Sequence, residues 1–123
     1  MAKISDIELA IASHAKWATH LTKAISDARL EIPLAVIGSD NLCEFGQWLY
    51  GPELSGDDKI SDDYQAVKAL HTEFHKVARQ VAELADSSNR YEAYKLLYGE
   101  YLSISGKLAI ALMAWKERLE RLL

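Results

Sequence analysis

The placement of the helix-breaking residues constrains this chain more than any other feature of its sequence. Both prolines, Pro33 and Pro52, and four of the six glycines lie between Leu30 and Lys59. Proline fixes φ and lacks a backbone donor, so it interrupts a helix. The sequence on either side of this stretch has apolar residues at steps of three and four, as amphipathic helices do, and no strand pattern. The sequence therefore predicts an all-α fold.

Three long helices are predicted outside the proline- and glycine-rich stretch. The first should begin at Ser5, whose spacing to Glu8 is that of a capping box, and end near Arg29. The second should begin near Ser61 and end at residues 86–89, and the third should span residues 90–122. Their predicted core faces are Ile7, Ile11, His14, Ala18, Leu21, Ile25 and Ala28; Tyr64, Val67, His71, Phe74, Ala78, Val81 and Ala85; and Tyr94, Leu97, Tyr101, Ile104, Leu108, Ala111, Trp115, Leu119 and Leu122.

A short helix is predicted inside that stretch. Ser39 and Asp40 are both suitable N-cap residues, and the helix should carry Cys43 and end at 51–52, a Gly-Pro pair. Together, this short helix and the three long helices indicate an antiparallel four-helix bundle. The length of 123 residues is that of one domain, so residues 1–123 are predicted to form a single domain.

The composition argues against several classes of partner. A net charge of -4 and scattered basic residues do not favour nucleic acid, which requires a clustered basic face. No apolar run approaches the ~20 residues of a membrane-spanning helix, and the N-terminus has no signal-peptide pattern, so a cytoplasmic protein is expected. One cysteine cannot form an internal disulfide, which leaves packing, reactivity or metal binding.

The last predicted helix is apolar over more of its circumference than one bundle core requires. Tyr98, Leu102, Leu112 and Met113 lie beside its main apolar face. A second apolar face suggests a second buried surface, and a homodimer is therefore predicted.

Four residues have the chemistry of zinc ligands. His71 and His75 are four residues apart on one helix, so their imidazoles share a face and can chelate one ion. His14 lies on the apolar face of the first helix, and Cys43 lies on the short one. Burying three unpaired imidazoles costs about 1–3 kcal/mol for each unmet polar group, whereas one Zn2+ would satisfy them together. The sequence therefore predicts a zinc site made by three histidines and one thiolate.

The three segments that carry these residues resemble the signature of the chemoreceptor zinc-binding (CZB) domain family. They read His14-Ala-Lys-Trp17, then Cys43-Glu-Phe45-Gly46-Gln-Trp48, then His71-Thr-Glu-Phe-His75. The resemblance implies a four-helix bundle with a single high-affinity zinc held by three histidines and one cysteine. It also implies a dimer and a sensory or regulatory role, usually beside a chemoreceptor or a diguanylate cyclase, with zinc or hypochlorous acid as the signal.

The supporting residues and the function follow from these patterns. Trp17, Phe45 and Trp48 are expected to wall the site, and Gly46 to allow a close backbone approach. The predicted function is that of a zinc-binding sensory domain of bacterial signalling, which responds to zinc level or to oxidation of Cys43. The alternative is a helical dimerisation or interaction module with a purely structural zinc.

An enzyme is not predicted. In the histidine pair, Glu73 is two residues from each histidine, so it should point away from the metal, unlike the glutamate of a zinc hydrolase. A di-iron bundle is not favoured either, because no Glu-x-x-His sequence is present. His20, about 120° from His14 around the helix, is expected to be exposed or a weak neighbour of the site.

Overall fold

Helices account for most of residues 2–123, the part of the chain that this computed structural model describes. Within it there is no strand, which confirms the predicted all-α fold. The elements are α1 (Ile4–Ala15), α2 (Trp17–Asp27), α3 (Leu34–Ile37), α4 (Glu44–Tyr50), α5 (Gly56–Lys59), α6 (Asp62–Asp86), α7 (Arg90–Leu96), a π-helical turn (Leu97–Tyr101) and α8 (Leu102–Arg121).

The first predicted helix is present as α1 and α2, which are separated by a single turn residue, Lys16. Lys16 keeps right-handed helical angles, with φ of -74° and ψ of -22°, so α2 continues α1. The predicted capping box is wrong, because α1 begins at Ile4 and its N-cap, Lys3, makes no side-chain hydrogen bond. The backbone carbonyl of Lys3 instead accepts from the N–H groups of Asp6 and Ile7 at 3.1 and 3.3 Å.

The short cysteine-bearing helix is α4, but its N-cap is Cys43 rather than Ser39 or Asp40. The two predicted capping side chains have other partners. The Ser39 hydroxyl donates to the carbonyl of Ala35 at 2.5 Å, and the Asp40 carboxylate accepts two hydroxyl hydrogen bonds described below. We call residues 40–50 the cysteine segment. The single-turn helices α3 and α5 on either side of it were not predicted.

The second and third long helices form close to their predicted limits. Ser61 caps α6 by accepting from the Tyr64 N–H at 3.2 Å. The third predicted helix contains a π-helical turn between α7 and α8, which the sequence did not predict. A π-turn is wider than an α-turn, because its hydrogen bonds join residues five apart instead of four. It buries both Leu97 and Tyr101.

Contacts between helix ends establish an antiparallel bundle. Lys116, late in α8, pairs with Glu8, early in α1, at 3.6 Å. Arg118 of α8 donates to Asp63 in the first turn of α6 at 3.0 Å. The cysteine segment runs opposite to α6, because Cys43 lies beside His71 whereas the carbonyl of Leu49 accepts from the Tyr64 hydroxyl at 3.1 Å. Chain direction thus alternates from α1–α2 to the cysteine segment, α6 and α7–α8.

The predicted core faces of the first two long helices are buried or half-buried, and the α6 face is fully buried. On the last helix, Leu122 is exposed, contrary to prediction. Of the residues assigned to its second apolar face, Leu112 lies in the core, whereas Tyr98, Leu102 and Met113 are 65%, 49% and 53% exposed. Over the described residues, no helix combines the length and apolar character needed to cross a membrane.

Candidate metal centre

The long helices supply three buried histidines. His71 and His75 are one turn apart in α6, both fully buried, and their Nε2 atoms are 3.1 Å apart. His14 comes from α1 and is 6% exposed. Its ring packs edge-on against that of His71, with centroids 5.0 Å apart. The apolar spacing of α1 and α6 therefore turns all three imidazoles toward one point between the helices.

Cys43 completes the cluster from the opposite side. Its Sγ lies 3.4 Å from His71 Nε2 and 3.5 Å from His75 Nε2. As the N-cap of α4, the same sulfur accepts from the Gly46 N–H at 3.2 Å. The side chain is only half-buried. We call His14, Cys43, His71 and His75 the His3Cys site, and one ligand atom from each lies within 4.8 Å of the other three.

The donor atoms of Cys43, His71 and His75 are spaced as three ligands of a tetrahedral zinc ion would be. Zinc–nitrogen bonds of about 2.0–2.1 Å and a zinc–sulfur bond of about 2.3 Å put two nitrogens about 3.3 Å apart and nitrogen and sulfur about 3.6 Å apart. The observed separations are 3.1 Å for the nitrogen pair of α6 and 3.4 and 3.5 Å for nitrogen and sulfur. Mixed nitrogen and sulfur donors are those that zinc prefers.

Backbone carbonyls orient two of the imidazoles. The Nδ1–H of His14 donates to Ala10 at 2.9 Å, and that of His75 donates to Ile37 at 2.8 Å. Both rings are thereby fixed with Nε2 free to bind a metal, as metal-ligating histidines usually are. His14 Nε2 is buried and has no hydrogen-bond partner, and neither has His71 Nδ1. A buried nitrogen without a partner is costly, so an ion at the centre would satisfy His14 Nε2.

Burial keeps the site in the protonation state that a metal requires for its histidines. It lowers the pKa of His14 from 6.5 to about 4. Burial and the neighbouring imidazoles lower the pKa of His71 to about 3, and burial also lowers that of His75. All three are therefore neutral near pH 7, with lone pairs available to a metal.

The thiol behaves differently. Burial raises the pKa of Cys43, and the backbone N–H groups at the start of α4 offset this only in part. A helix N-terminus ordinarily favours the thiolate, but at Cys43 burial outweighs it and the pKa is raised. Coordination by a cation would then be what removes the proton from Cys43.

Aromatic rings enclose the histidines. Phe45 packs edge-on against His14 and His71 at centroid distances of 5.5 and 5.0 Å, and Phe74 against His14 at 4.9 Å. Trp17 lies 5.7 Å from the ring of His75.

Trp48, also predicted to wall the site, packs on Phe45 and has no ring contact with a histidine of the site. The two rings stack at 5.4 Å, and Trp48 also packs on Trp115. Among the expected neighbours of the site, Trp17 and Phe45 touch ligands directly, whereas Trp48 supports Phe45 from behind.

Gly46 is required by a close approach within the cysteine segment. A Cβ at this position would lie 1.8 Å from the backbone oxygen of Asp40. Only glycine lets the first turn of α4 fold against the residues before Cys43. This confirms the predicted close backbone approach.

Two other predictions concerned residues outside the site. His20 is exposed, as expected, and packs only against Trp17 at 5.8 Å. Glu73 is exposed on the far side of α6 and is absent from the cluster of ligand atoms.

Sequence reasoning missed Phe74, Asp40 and the two carbonyl acceptors. Phe74 could have been found, because it precedes His75 on the buried face of α6. Backbone carbonyls leave no mark in a residue pattern, so the roles of Ala10 and Ile37 required the fold. Asp40 was noted only as a possible helix cap.

Comparison with known proteins agrees with the geometry. The family model of the chemoreceptor zinc-binding domain matches residues 14–82, more than half of the chain and a range that includes the whole His3Cys site. Comparisons with curated proteins and with solved structures found no match.

Proposed function

The chain belongs to the chemoreceptor zinc-binding domain family, and on that premise we propose that it is a zinc-binding sensory or regulatory domain of bacterial signalling. The observation that carries this proposal is the His3Cys site itself. Four donor atoms from three separate helical segments lie within 4.8 Å of one another, and His14 Nε2 is buried without a partner. The Nε2 atoms of the three histidines and the Sγ of Cys43 are the groups proposed to hold Zn2+.

We propose a binding role rather than catalysis. Four protein ligands fill the coordination of a tetrahedral zinc, and a filled site has no position at which to activate water. Glu73, the nearest counterpart of a hydrolase general base, is exposed and outside the cluster. The chemistry that bound zinc supplies here is stabilisation of the Cys43 thiolate.

The proposed signal acts at Cys43. A thiolate is the form that oxidants attack, and Cys43 is the one ligand that is half-buried rather than buried. Hypochlorous acid would transfer oxygen to the sulfur, giving a sulfenic acid, and would itself be reduced to chloride. Loss of the thiolate weakens the bond between the cysteine segment and the metal. Arrival or departure of zinc would move the same segment.

The proposal is tested by a competition titration combined with oxidation. The zinc-loaded chain is titrated against a chelator of known affinity, before and after one equivalent of hypochlorous acid. The expected result is one zinc per chain and a lower affinity after oxidation, with the modification found on Cys43. A Cys43→Ala variant is the control and should not change its zinc affinity on oxidation. Equal oxidant responses of the two proteins would contradict the redox version.

A helical interaction module with a purely structural zinc is the second candidate. The complete burial of His71 and His75 favours it, because deeply buried ligands exchange metal slowly. The same titration separates the two functions. A sensor should lose and regain zinc within minutes at free zinc concentrations near those of a cell, whereas a structural site should not exchange until the chain unfolds.

The partner proposals concern the exposed face of the last helix. We propose a homodimer through Tyr98, Leu102 and Met113, together with Ile110, which is 70% exposed. A chemoreceptor or a diguanylate cyclase is the proposed signalling partner, by family membership. A cytoplasmic location is proposed because a reducing compartment keeps a lone thiol available as a metal ligand.

Light scattering tests the dimer. A Leu102→Glu variant should be monomeric at concentrations where the unmodified chain is dimeric. Leu9→Glu is the matched control, because Leu9 is 69% exposed but lies on α1. A monomeric unmodified chain, or the same loss of dimer in both variants, would contradict this surface.

A further inference from the structure

One carboxylate joins the two ends of the cysteine segment to the helix that carries the histidine pair. Oδ2 of Asp40 accepts from the Tyr50 hydroxyl at 2.6 Å and from the Thr72 hydroxyl at 2.5 Å. Asp40 begins the cysteine segment, Tyr50 ends it, and Thr72 follows His71 in α6. Three parts of the chain that are separate in sequence thus converge on one oxygen atom.

The other attachments of the cysteine segment are on its buried side, where Phe45 and Leu49 are 4% and 0% exposed and Trp48 packs on Trp115. Cys43 approaches the two histidines of α6, Phe45 packs among the rings, and the carbonyl of Leu49 accepts from Tyr64. The exposed side of the segment has no apolar cover, since Leu42 is 50% exposed. The hydrogen bonds of Asp40 are therefore a main attachment of this side to α6.

We propose that Asp40 is a positioning residue of the metal centre, whose carboxylate holds the cysteine segment closed against α6 and so fixes the distance from Cys43 to the histidine pair. The inference rests on the proposed function, since it concerns how firmly one ligand is presented to the metal. Asp40 touches no ligand atom itself and acts through the backbone that leads to Cys43.

The surroundings of Asp40 suit this role. Partial burial alone would raise the pKa of Asp40, but the hydrogen bonds from Thr72 and Tyr50 outweigh it, so the pKa is lowered and the carboxylate stays ionised. Burial and the bond to Asp40 raise the pKa of Tyr50 to about 12, so that its hydroxyl remains a donor. Lys68 Nζ lies 5.7 Å from the centre of the Tyr50 ring, which holds the ring beside α6.

The backbone of Asp40 is fixed by a second contact. Its carbonyl oxygen occupies the space that a side chain at Gly46 would need. A displacement of Asp40 would therefore be passed directly to the first turn of α4, where Cys43 is the N-cap. Release of the carboxylate is expected to loosen the sulfur before it loosens any histidine.

The test compares Asp40→Ala and Asp40→Asn with the unmodified chain. Three quantities are measured: the rate of zinc transfer from the loaded chain to excess chelator, the rate at which iodoacetamide alkylates Cys43 in the metal-free chain, and amide hydrogen exchange. For Asp40→Ala both rates should rise about tenfold, which corresponds to about 1.4 kcal/mol. Asp40→Asn keeps an acceptor oxygen without charge, so its two rates should lie between those of Asp40→Ala and those of the unmodified chain.

Matched variants separate positioning from general stability. Tyr50→Phe and Thr72→Val should each raise both rates in the unmodified background and add nothing when Asp40 is already alanine. Asp86→Ala removes another exposed carboxylate, at the end of α6, and should leave both rates unchanged. Faster amide exchange in Asp40→Ala should be confined to the cysteine segment.

Two results would overturn the inference. One is zinc-transfer and alkylation rates for Asp40→Ala equal to those of the unmodified chain. The other is faster amide exchange spread equally over α1, α6 and α8, which would assign Asp40 to the stability of the whole bundle. An unmodified chain that takes up no zinc would overturn the proposed function instead, and the alkylation and exchange results on metal-free protein would still decide the role of Asp40.

Discussion

The two halves of the His3Cys site are held in different ways. The histidines belong to α1 and α6, helices of 12 and 25 residues, and are buried among the aromatic rings of the core. Cys43 caps a helix of 7 residues, is half-buried, and is bounded by single-turn helices and loops. One half of the site is part of the bundle core, and the other half is attached to it.

Because of this difference, we expect the histidine half to set most of the zinc affinity and the cysteine half to respond to the signal. The histidine half is preformed, because backbone carbonyls and core packing set the directions of its rings without a metal. The cysteine half is carried by a short helix that packs on the core through Phe45 and Leu49, and the hydrogen bond from Thr72 to Asp40 joins its exposed side to α6. Such a ligand can leave with little disturbance of the core, which a sensor requires.

Removing a ligand from each half should give unequal losses of zinc affinity. His71→Ala breaks the chelating pair, so the affinity should fall about a thousandfold or more, which corresponds to about 4 kcal/mol. Cys43→Ala leaves three preformed histidines with a position open to water, and should lower the affinity about ten- to a hundredfold. Competition with a chelator measures both zinc affinities. A larger loss of affinity for Cys43→Ala than for His71→Ala would contradict the expected difference between the two halves.

The halves should also differ in their contribution to folding. Phe74 is fully buried against His14 and Tyr101, so Phe74→Ala should lower the free energy of unfolding by about 3–5 kcal/mol. Trp48 is a half-buried residue of the cysteine segment, and Trp48→Ala should lower the free energy of unfolding by about 1–2 kcal/mol. Urea unfolding of metal-free protein, followed by circular dichroism, gives both values. Equal losses of unfolding free energy for the two variants would mean that the cysteine half contributes to the core as much as the histidine half does.

Backbone crowding in the cysteine segment should give an intermediate effect. Gly46→Ala places a methyl group against the carbonyl of Asp40, and the strain should cost about 1–3 kcal/mol in unfolding free energy. Gly106→Ala is the control, because open space surrounds that position in α8. There alanine should stabilise the helix by up to about 1 kcal/mol. An unchanged free energy of unfolding for Gly46→Ala would contradict this, because it would mean that the cysteine segment can shift to accommodate the methyl group.

The metal-free chain should lose stability in mild acid because of its histidine half. The folded-state pKa values of His14 and His71, about 4 and about 3, lie below the ordinary 6.5, so the unfolded chain binds more protons. Their contribution is fully present above pH 6.5 and declines toward pH 4, at up to about 1.4 kcal/mol per pH unit for each histidine. Urea unfolding at a series of pH values measures it. A His71→Leu variant should have a shallower slope, and unchanged stability down to about pH 5 would contradict the burial argument.

The part of this molecule that could be read from its sequence is the part set by periodicity. Apolar spacing placed His14, His71 and His75 on buried faces, and the second long helix was correctly predicted to begin near Ser61. These features depend on neighbours within one or two turns. The alternation of chain direction followed from helix lengths and from the proline- and glycine-rich stretch.

The features that were not predicted depend on contacts distant in sequence. Cys43 is the N-cap of α4, whereas the carboxylate of Asp40 accepts from Tyr50 and Thr72. The π-helical turn carries Tyr101, whose ring lies 5.3 Å from that of Phe74 on another helix. Leu112 was assigned to the second apolar face and lies in the core, because α8 packs against both α1 and α6.

X-ray absorption at the zinc edge of the loaded chain would identify the ligands of the His3Cys site. We expect one zinc per chain, coordinated by three nitrogens at about 2.0–2.1 Å and one sulfur at about 2.3 Å. In Cys43→Ala the sulfur contribution should vanish and be replaced by a light atom. A first shell of nitrogen and oxygen alone in the unmodified chain, or a sulfur signal that survives the substitution, would contradict this ligand set.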